Sequence, residues 1–226
     1  TILADCEKAG KQIGMVFESG YYNASFFYGA GFTTARNDDG STTLDWNGTS
    51  SSGIKGVDVA QSMVDIAKNK SFMAIKDGDS ANQIASGKLA AIVSGTWDAN
   101  AVQEQFGDGY AATSIPTYTC NGQQVDMASS SGYKFWGVNK NSKNVGWAMK
   151  LAMFLINKDS QMERFKAGAA GPANKEDMAS SDVQNNIAVS AILQQNAKKG
   201  VVQMVTQTYW DNTATFGAKI AKGNPD

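Results

Sequence analysis

Apolar positions follow two different patterns along this chain, and the change between them divides it. In the first half, short continuous apolar runs alternate with stretches at helical spacing. Ile2–Lys11 reads as a short amphipathic helix closed by Gly10, and Gln12–Phe17 as a compact strand. Gly20–Ala30 is aromatic and helical, with Gly29 and Gly31 ending it. Asn37–Ser41 is a turn cluster leading into a strand at Thr42–Trp46. Ser52–Lys68 carries Ile54, Val57, Val59, Met63, Ile66 and Ala67 near a 3.6-residue period, with Ser51 or Ser52 as its cap. Ser80–Ser86 is a short helix ending at Gly87. Leu89–Val93 is an apolar run of the kind that a strand buried on both faces requires. Ser94-Gly95-Thr96 then turns into a helix from Trp97 to about Phe106.

In the second half, Ala111–Ile115 and Tyr133–Val138 read as strands on either side of a polar stretch holding Asn121-Gly122, a hairpin signal. From Asn144 onward the pattern is helical: Val145–Ile156, Ser160–Lys166, Asp182–Lys198 and Tyr209–Ala221, with a loop at Gly168–Pro172. Strands alternating with helices early and helices clustered late predict an α/β layered fold.

Composition narrows the function. With 226 residues, 42% hydrophobic and 18% charged, the chain is globular rather than disordered. A net charge of −1 gives no basic face for phosphates, which argues against a nucleic-acid partner. No apolar run approaches the length of a membrane span, and the first residues lead into a helix rather than a signal peptide. There is no histidine, so the commonest general base and metal ligand are both missing. Cys6 and Cys120 have no metal-ligand spacing; they form either one disulfide or two free buried thiols. No phosphate-binding loop occurs, so neither a metal nor a cofactor is expected.

Two kinds of candidate site remain. Glu18, Asp98 and Asp211 lie beside aromatic residues, so a glycosidase-like carboxylate pair is one reading. The other starts from the 22 aromatic residues. Most of them serve core packing, but three sites place rings at element starts: Tyr21 and Tyr22 after a strand end, Trp97 after the turn following Leu89–Val93, and Tyr209 and Trp210 at the start of the last helix. Ligands in α/β sheets bind beyond the carboxyl ends of strands. A tyrosine or tryptophan there offers a flat apolar face and a polar edge, matching the C–H face and hydroxyl rim of a pyranose. Asp98 and Asp211, each following a tryptophan, are placed to accept hydrogen bonds from hydroxyls. Asn23-Ala-Ser and Asn47-Gly-Thr match the N-glycosylation pattern.

These segments carry a family resemblance. Gly20-Tyr21-Tyr22-Asn-Ala-Ser-Phe-Phe-Tyr-Gly-Ala-Gly resembles the segment of maltose-binding-type proteins in which a strand ends in an aromatic pair. Gly87-Lys-Leu-Ala-Ala-Ile-Val-Ser-Gly-Thr-Trp97 resembles that family's Gly-Lys-x-Ala-(Met/Ile)-x-x-x-Gly-x-Trp run. Gly146–Leu155, Gln161–Phe165 and Val189–Gly223 resemble its later helices and closing portion, in the family's order.

The resemblance is to the solute-binding receptors of bacterial ABC sugar importers, and it implies a periplasmic-binding-protein type 2 fold. Residues 1–130 and 182–226 would form the second α/β lobe. Residues 131–181 would be a crossing strand and helices of an incomplete first lobe. In the family, sugar binds between two lobes that close about a hinge. Absent first-lobe residues would leave Val145, Leu151, Phe154 and Phe165 exposed, unless they pack on the second lobe or on another chain. The implied ligand is an oligosaccharide, a maltooligosaccharide first, held by Tyr21, Tyr22, Trp97, Asp98, Tyr209 and Trp210. The implied partner is an ABC permease, and the implied location is extracytoplasmic, as a periplasmic protein or a cell-surface lipoprotein. Ser19 and Ala214 stand where the family has an acidic and a basic sugar contact, so the set of rim hydrogen bonds differs from the family's.

Overall fold

The computed structural model describes residues 2–168 and 170–223. They divide into two compact units: Thr1–Ser94 with Ser114–Ser131 and Gln194–Asp226, and Gly95–Thr113 with Gly132–Leu193.

The chain opens with helix α1 (Ile2–Lys8), strand β1 (Gln12–Met15) and helix α2 (Gly20–Gly29). The hairpin β2 (Thr34–Arg36) and β3 (Thr42–Leu44) closes through the Asn37–Ser41 turn. Helix α3 follows at Gly56–Ala67, then β4 (Phe72–Ala74), α4 (Ser80–Ala85) and β5 (Leu89–Ile92). Parallel pairing gives the sheet order β4-β1-β5, with β1 central. Leu89 of β5 is buried but Ala90 is exposed, so this run is not covered on both faces.

Helix α3 begins later than its apolar period predicts. Gly53 takes a left-handed turn (φ 77°), and the Ser50 hydroxyl accepts from the N–H groups of Ser52 and Ile54. That turn holds residues 50–54 out of the helix, and Lys55, not Ser51 or Ser52, is the N-cap.

A single 3₁₀ turn at Thr96–Asp98 leads into α5 (Ala99–Phe106). Beyond it lie β6 (Tyr118–Cys120), β7 (Gln123–Val125) and β8 (Ser129–Ser130). Asn121 (φ 48°) and Gly122 (φ 78°) form the left-handed pair that a two-residue hairpin needs. Ala111–Ile115 and Tyr133–Val138 are not strands. Residues 111–113 and 133–137 are exposed, with no ladder partner among the described residues.

The later helices are α6 (Val145–Leu155), α7 (Lys158–Gly168), α8 (Lys175–Met178), α9 (Ser181–Gln184) and α10 (Ile187–Lys199). The predicted helix over Asp182–Lys198 is two helices, because the Asn186 side chain accepts from the Val189 N–H and starts α10 afresh. Strand β9 (Gly200–Val201) pairs in parallel with β8, and α11 (Gln207–Ala221) closes the described chain.

The first unit holds a large aromatic core. Phe27 stacks on Trp46 at 4.2 Å, Phe17 meets Phe26 and Phe72, and Trp46 meets Tyr28 and Tyr209 edge-on. Cys6 and Cys120 are both buried free thiols in this core, so no disulfide joins them. The buried Gln195 amide ties loops to the core: its oxygen accepts from Ile115 N–H, and its nitrogen donates to the carbonyls of Met127 and Lys199.

The second unit has smaller apolar clusters, one around Ala99, Tyr110 and Ala188, another around Phe165, Val183 and Val189. Phe165 is buried against Val183 and Val189, which lie in the 182–226 stretch expected to belong to the second lobe. Val145, Leu151 and Phe154 are exposed, as are Trp147, Met149, Met153 and Ile156.

Candidate functional site

Two helix starts in the first unit bring aromatic residues together. Helix α2 begins where β1 ends, with Ser19 as N-cap; its hydroxyl accepts from the Tyr21 N–H at 3.4 Å. A Cβ on Gly20 would strike the Thr213 side chain and the Tyr209 ring, so glycine here lets the first turn of α2 lie against α11. Asn23 fastens the same junction from within. Fully buried, its Nδ2 donates to the carbonyls of Phe17 (3.1 Å) and Thr213 (2.9 Å). The Asn-Ala-Ser pattern at this position therefore serves the fold, since a buried amide offers no glycosylation acceptor.

Aromatic residues at this junction take two roles. Tyr21 is 37% exposed and lies edge-on to Tyr22, 5.4 Å between centroids. Tyr22 and Trp210 are half-buried, packed against the core with part of each left at the surface. Partial burial raises the Tyr21 hydroxyl above its ordinary titration range, keeping it a neutral donor at neutral pH. Tyr209 differs. It is 2% exposed, and its hydroxyl donates to the Gly20 carbonyl at 2.8 Å while accepting from Gln203 Nε2. Its ring lies 5.0 Å from Trp210, edge-on. The structure thus leaves Tyr21, Tyr22 and Trp210 facing outward in part and makes Tyr209 their support.

Trp97 and Asp98 belong to the second unit. Trp97 is 55% exposed, in the 3₁₀ turn ahead of α5. A Cβ on Gly95 would collide with the six-membered ring of the indole. The Gly-x-Trp spacing therefore has a physical cause: the glycine lets the indole fold back over its own backbone, presenting one face. Asp98 is half-buried at the start of α5. Asp211 is exposed and accepts from the Gln207 amide one turn away.

Supporting residues were not legible in advance. Gln203 stands in an irregular segment with no period to assign it, yet it bonds to Gly20, Tyr209 and Ser130. No group of acidic residues or cysteines able to hold a metal ion occurs among the described residues, and no described helix is long and apolar enough to cross a membrane.

An α/β fold with ring-bearing helix starts beyond its parallel strands defines a class of ligand-binding fold, and solved structures place it. The maltodextrin binding protein from L. casei BL23 aligns with a TM-score of 0.72 at 23% identity, covering 97% of this chain and 59% of that one. The Thermus thermophilus maltotriose binding protein, bound with maltotriose, aligns at 0.74 and 17% identity, covering 99% and 60%. The chain thus has the periplasmic-binding-protein fold of the maltodextrin-binding proteins.

A family model described as bacterial extracellular solute-binding protein matches residues 1–191, and the chain belongs to that family. It is similar to the galactooligosaccharide-binding protein of Bacillus subtilis (strain 168), 33% identical over 110 residues, 49% of this chain and 25% of that protein. It is also similar to the maltooligosaccharide ABC transporter solute-binding lipoprotein of Streptococcus pneumoniae serotype 4, 26% identical over 146 residues, 64% of this chain and 34% of that protein. The chain therefore spans between 25% and 34% of the length of these relatives.

Proposed function

We propose that this chain binds an oligosaccharide without chemical change, as part of a receptor that delivers sugar to an ABC permease outside the cytoplasm. The observation that carries this reading is the junction of α2 and α11, where Tyr21, Tyr22 and Trp210 keep surface in a unit that buries nearly all its other rings. Sugar rings would stack their C–H faces on these side chains. The Tyr21 hydroxyl, neutral at physiological pH, would contribute a rim hydrogen bond. Trp97 and Asp98 would act in the same way in their own unit, the indole as a platform and the carboxylate as an acceptor for hydroxyls. Tyr209 would contribute by holding Gly20 and Trp210 rather than by touching ligand.

A maltooligosaccharide is the favoured ligand. Support comes from the names of a pneumococcal relative and of the solved maltodextrin- and maltotriose-binding proteins. The galactooligosaccharide-binding relative favours a second reading, a receptor for galactooligosaccharides on the same platform.

Calorimetric titration with maltotriose, maltotetraose and galactooligosaccharides separates the two. Saturable heat with the α-glucans alone is the expected result. Heat with galactooligosaccharides alone would move the assignment to the second reading, and no heat with any sugar would overturn both. Incubation with chromogenic glycosides tests the non-catalytic part; turnover abolished by Asp98→Asn would show an enzyme instead.

A further inference from the structure

We propose that Gln203 is a positioning residue for Tyr21, acting through the Gly20–Tyr21 peptide. The inference rests on the sugar-binding reading of Tyr21. Gln203 lies in the irregular segment before α11, and every hydrogen-bonding group of its amide is engaged. Its Nε2 donates to the Gly20 carbonyl at 3.1 Å and to the Tyr209 hydroxyl at 2.8 Å, and its Oε1 accepts from the Ser130 hydroxyl at 3.1 Å. Two donors and one acceptor at one side-chain end are what an amide supplies; a carboxylate lacks the donors and an aliphatic chain lacks both.

The acceptor that matters is the Gly20 oxygen. It also receives the Tyr209 hydroxyl at 2.8 Å. A peptide unit is planar, so fixing that oxygen fixes the direction of the Tyr21 N–H and Cα. The same unit is held at its other end, where Tyr21 N–H meets the Ser19 hydroxyl. Gln203 is itself anchored in β8 through Ser130, a residue of the short parallel pair β8–β9. The angle at which Tyr21 leaves α2 is thus set from outside the helix, by the amide of a residue on the segment before α11.

The test combines binding with amide hydrogen exchange. Gln203→Leu removes all three hydrogen bonds, and Gln203→Glu keeps the size and the Ser130 contact while removing both donors. Both variants should bind maltotriose about fivefold more weakly, which is about 1 kcal/mol at 1.4 kcal/mol per tenfold. Neither should weaken binding further in a Tyr21→Ala background. Amides of residues 21–24 should exchange faster in both variants, with or without sugar. Val64→Ala, a core change in α3, should lower the melting temperature while leaving maltotriose affinity unchanged, separating lost positioning from lost stability. Tyr21→Ala weakening binding while both Gln203 variants bind like wild type would overturn this inference and leave the sugar reading standing. Additive losses in the double variants would overturn it too, since Gln203 would then act elsewhere. Wild-type affinity in Tyr21→Ala would overturn this inference, since Tyr21 would then make no contact with the sugar, and no heat from the unmodified protein with maltotriose, maltotetraose or galactooligosaccharides would overturn the sugar reading and this inference with it.

Discussion

The two units treat their aromatic residues in opposite ways. In the first, Phe17, Phe26, Phe27, Tyr28, Trp46, Tyr118 and Tyr209 are buried together, so the partial exposure of Tyr21 and Trp210 stands out against a packed background. In the second, Tyr133, Phe135, Trp136, Trp147 and Phe154 are all exposed, and Trp97 is one of many. Exposure of a ring is informative only where neighbouring rings are buried. In the second unit a different observation singles out Trp97: the glycine that clears room for its indole. None of the other exposed rings there has such a dedicated neighbour among the described glycine contacts. Lys150 does sit over Trp147 at 4.8 Å, but a lysine one turn along a helix is an ordinary surface pairing.

Stability measurements test this contrast most strongly. Phe27→Ala removes a ring stacked on Trp46 in the core and should cost about 3–5 kcal/mol in urea unfolding. Phe154→Ala, at a site 62% exposed, should change stability by about 0.5 kcal/mol or less. Comparable losses from both would show that α6 is packed in solution and would remove the contrast. The next largest effect concerns binding. Trp210→Ala should weaken maltotriose affinity about 30-fold, the scale of an interface hot spot, whereas Trp147→Ala should leave it unchanged. Equal effects from the two tryptophans would mean that burial of the neighbours does not identify the platform.

Much of this was readable in the sequence, and the failures have physical causes. Glycines and the Asn121-Gly122 pair punctuated the chain correctly, because a positive φ leaves few other residues to choose from. The start of α3 was misplaced, because the Ser50 turn depends on side-chain hydrogen bonds that compete with the helix and leave no trace in the apolar period. Tyr133–Val138 has strand-forming residues but no partner ladder, and strand propensity reflects neighbours more than the residues themselves. At the candidate site, the places of Tyr21, Tyr22, Trp97 and Trp210 at element starts were legible, and the structure gives each of them some surface. Tyr209 could not be separated from Trp210, since adjacent residues in a helix face different ways and only the packing of α11 on Gly20 decides which turns inward. Phe165 carried no mark distinguishing it from Phe154, though one joins Val183 and Val189 while the other meets solvent.

The smallest effect to be sought is a pH dependence confined to the aromatic core. Tyr118 is 4% exposed and its hydroxyl donates to the Phe26 carbonyl at 2.9 Å. Burial raises its titration well above the ordinary tyrosine value of 10.0, and the neighbouring Cys120 adds to the rise. The folded state therefore keeps the proton after the unfolded chain has lost it. With the folded value above the unfolded one, this contribution to stability is complete below pH about 10 and is lost as pH rises beyond it. The loss is about 1.4 kcal/mol per pH unit for such a group. Tyr118→Phe gives up a buried hydrogen bond worth about 1 kcal/mol at neutral pH but has no proton to lose. The two proteins should then differ by about 1 kcal/mol at pH 8 and converge near pH 11 in chemical unfolding. A gap that stayed constant across this range would show that Tyr118 titrates alike in both states and that water reaches the centre of the first unit's core.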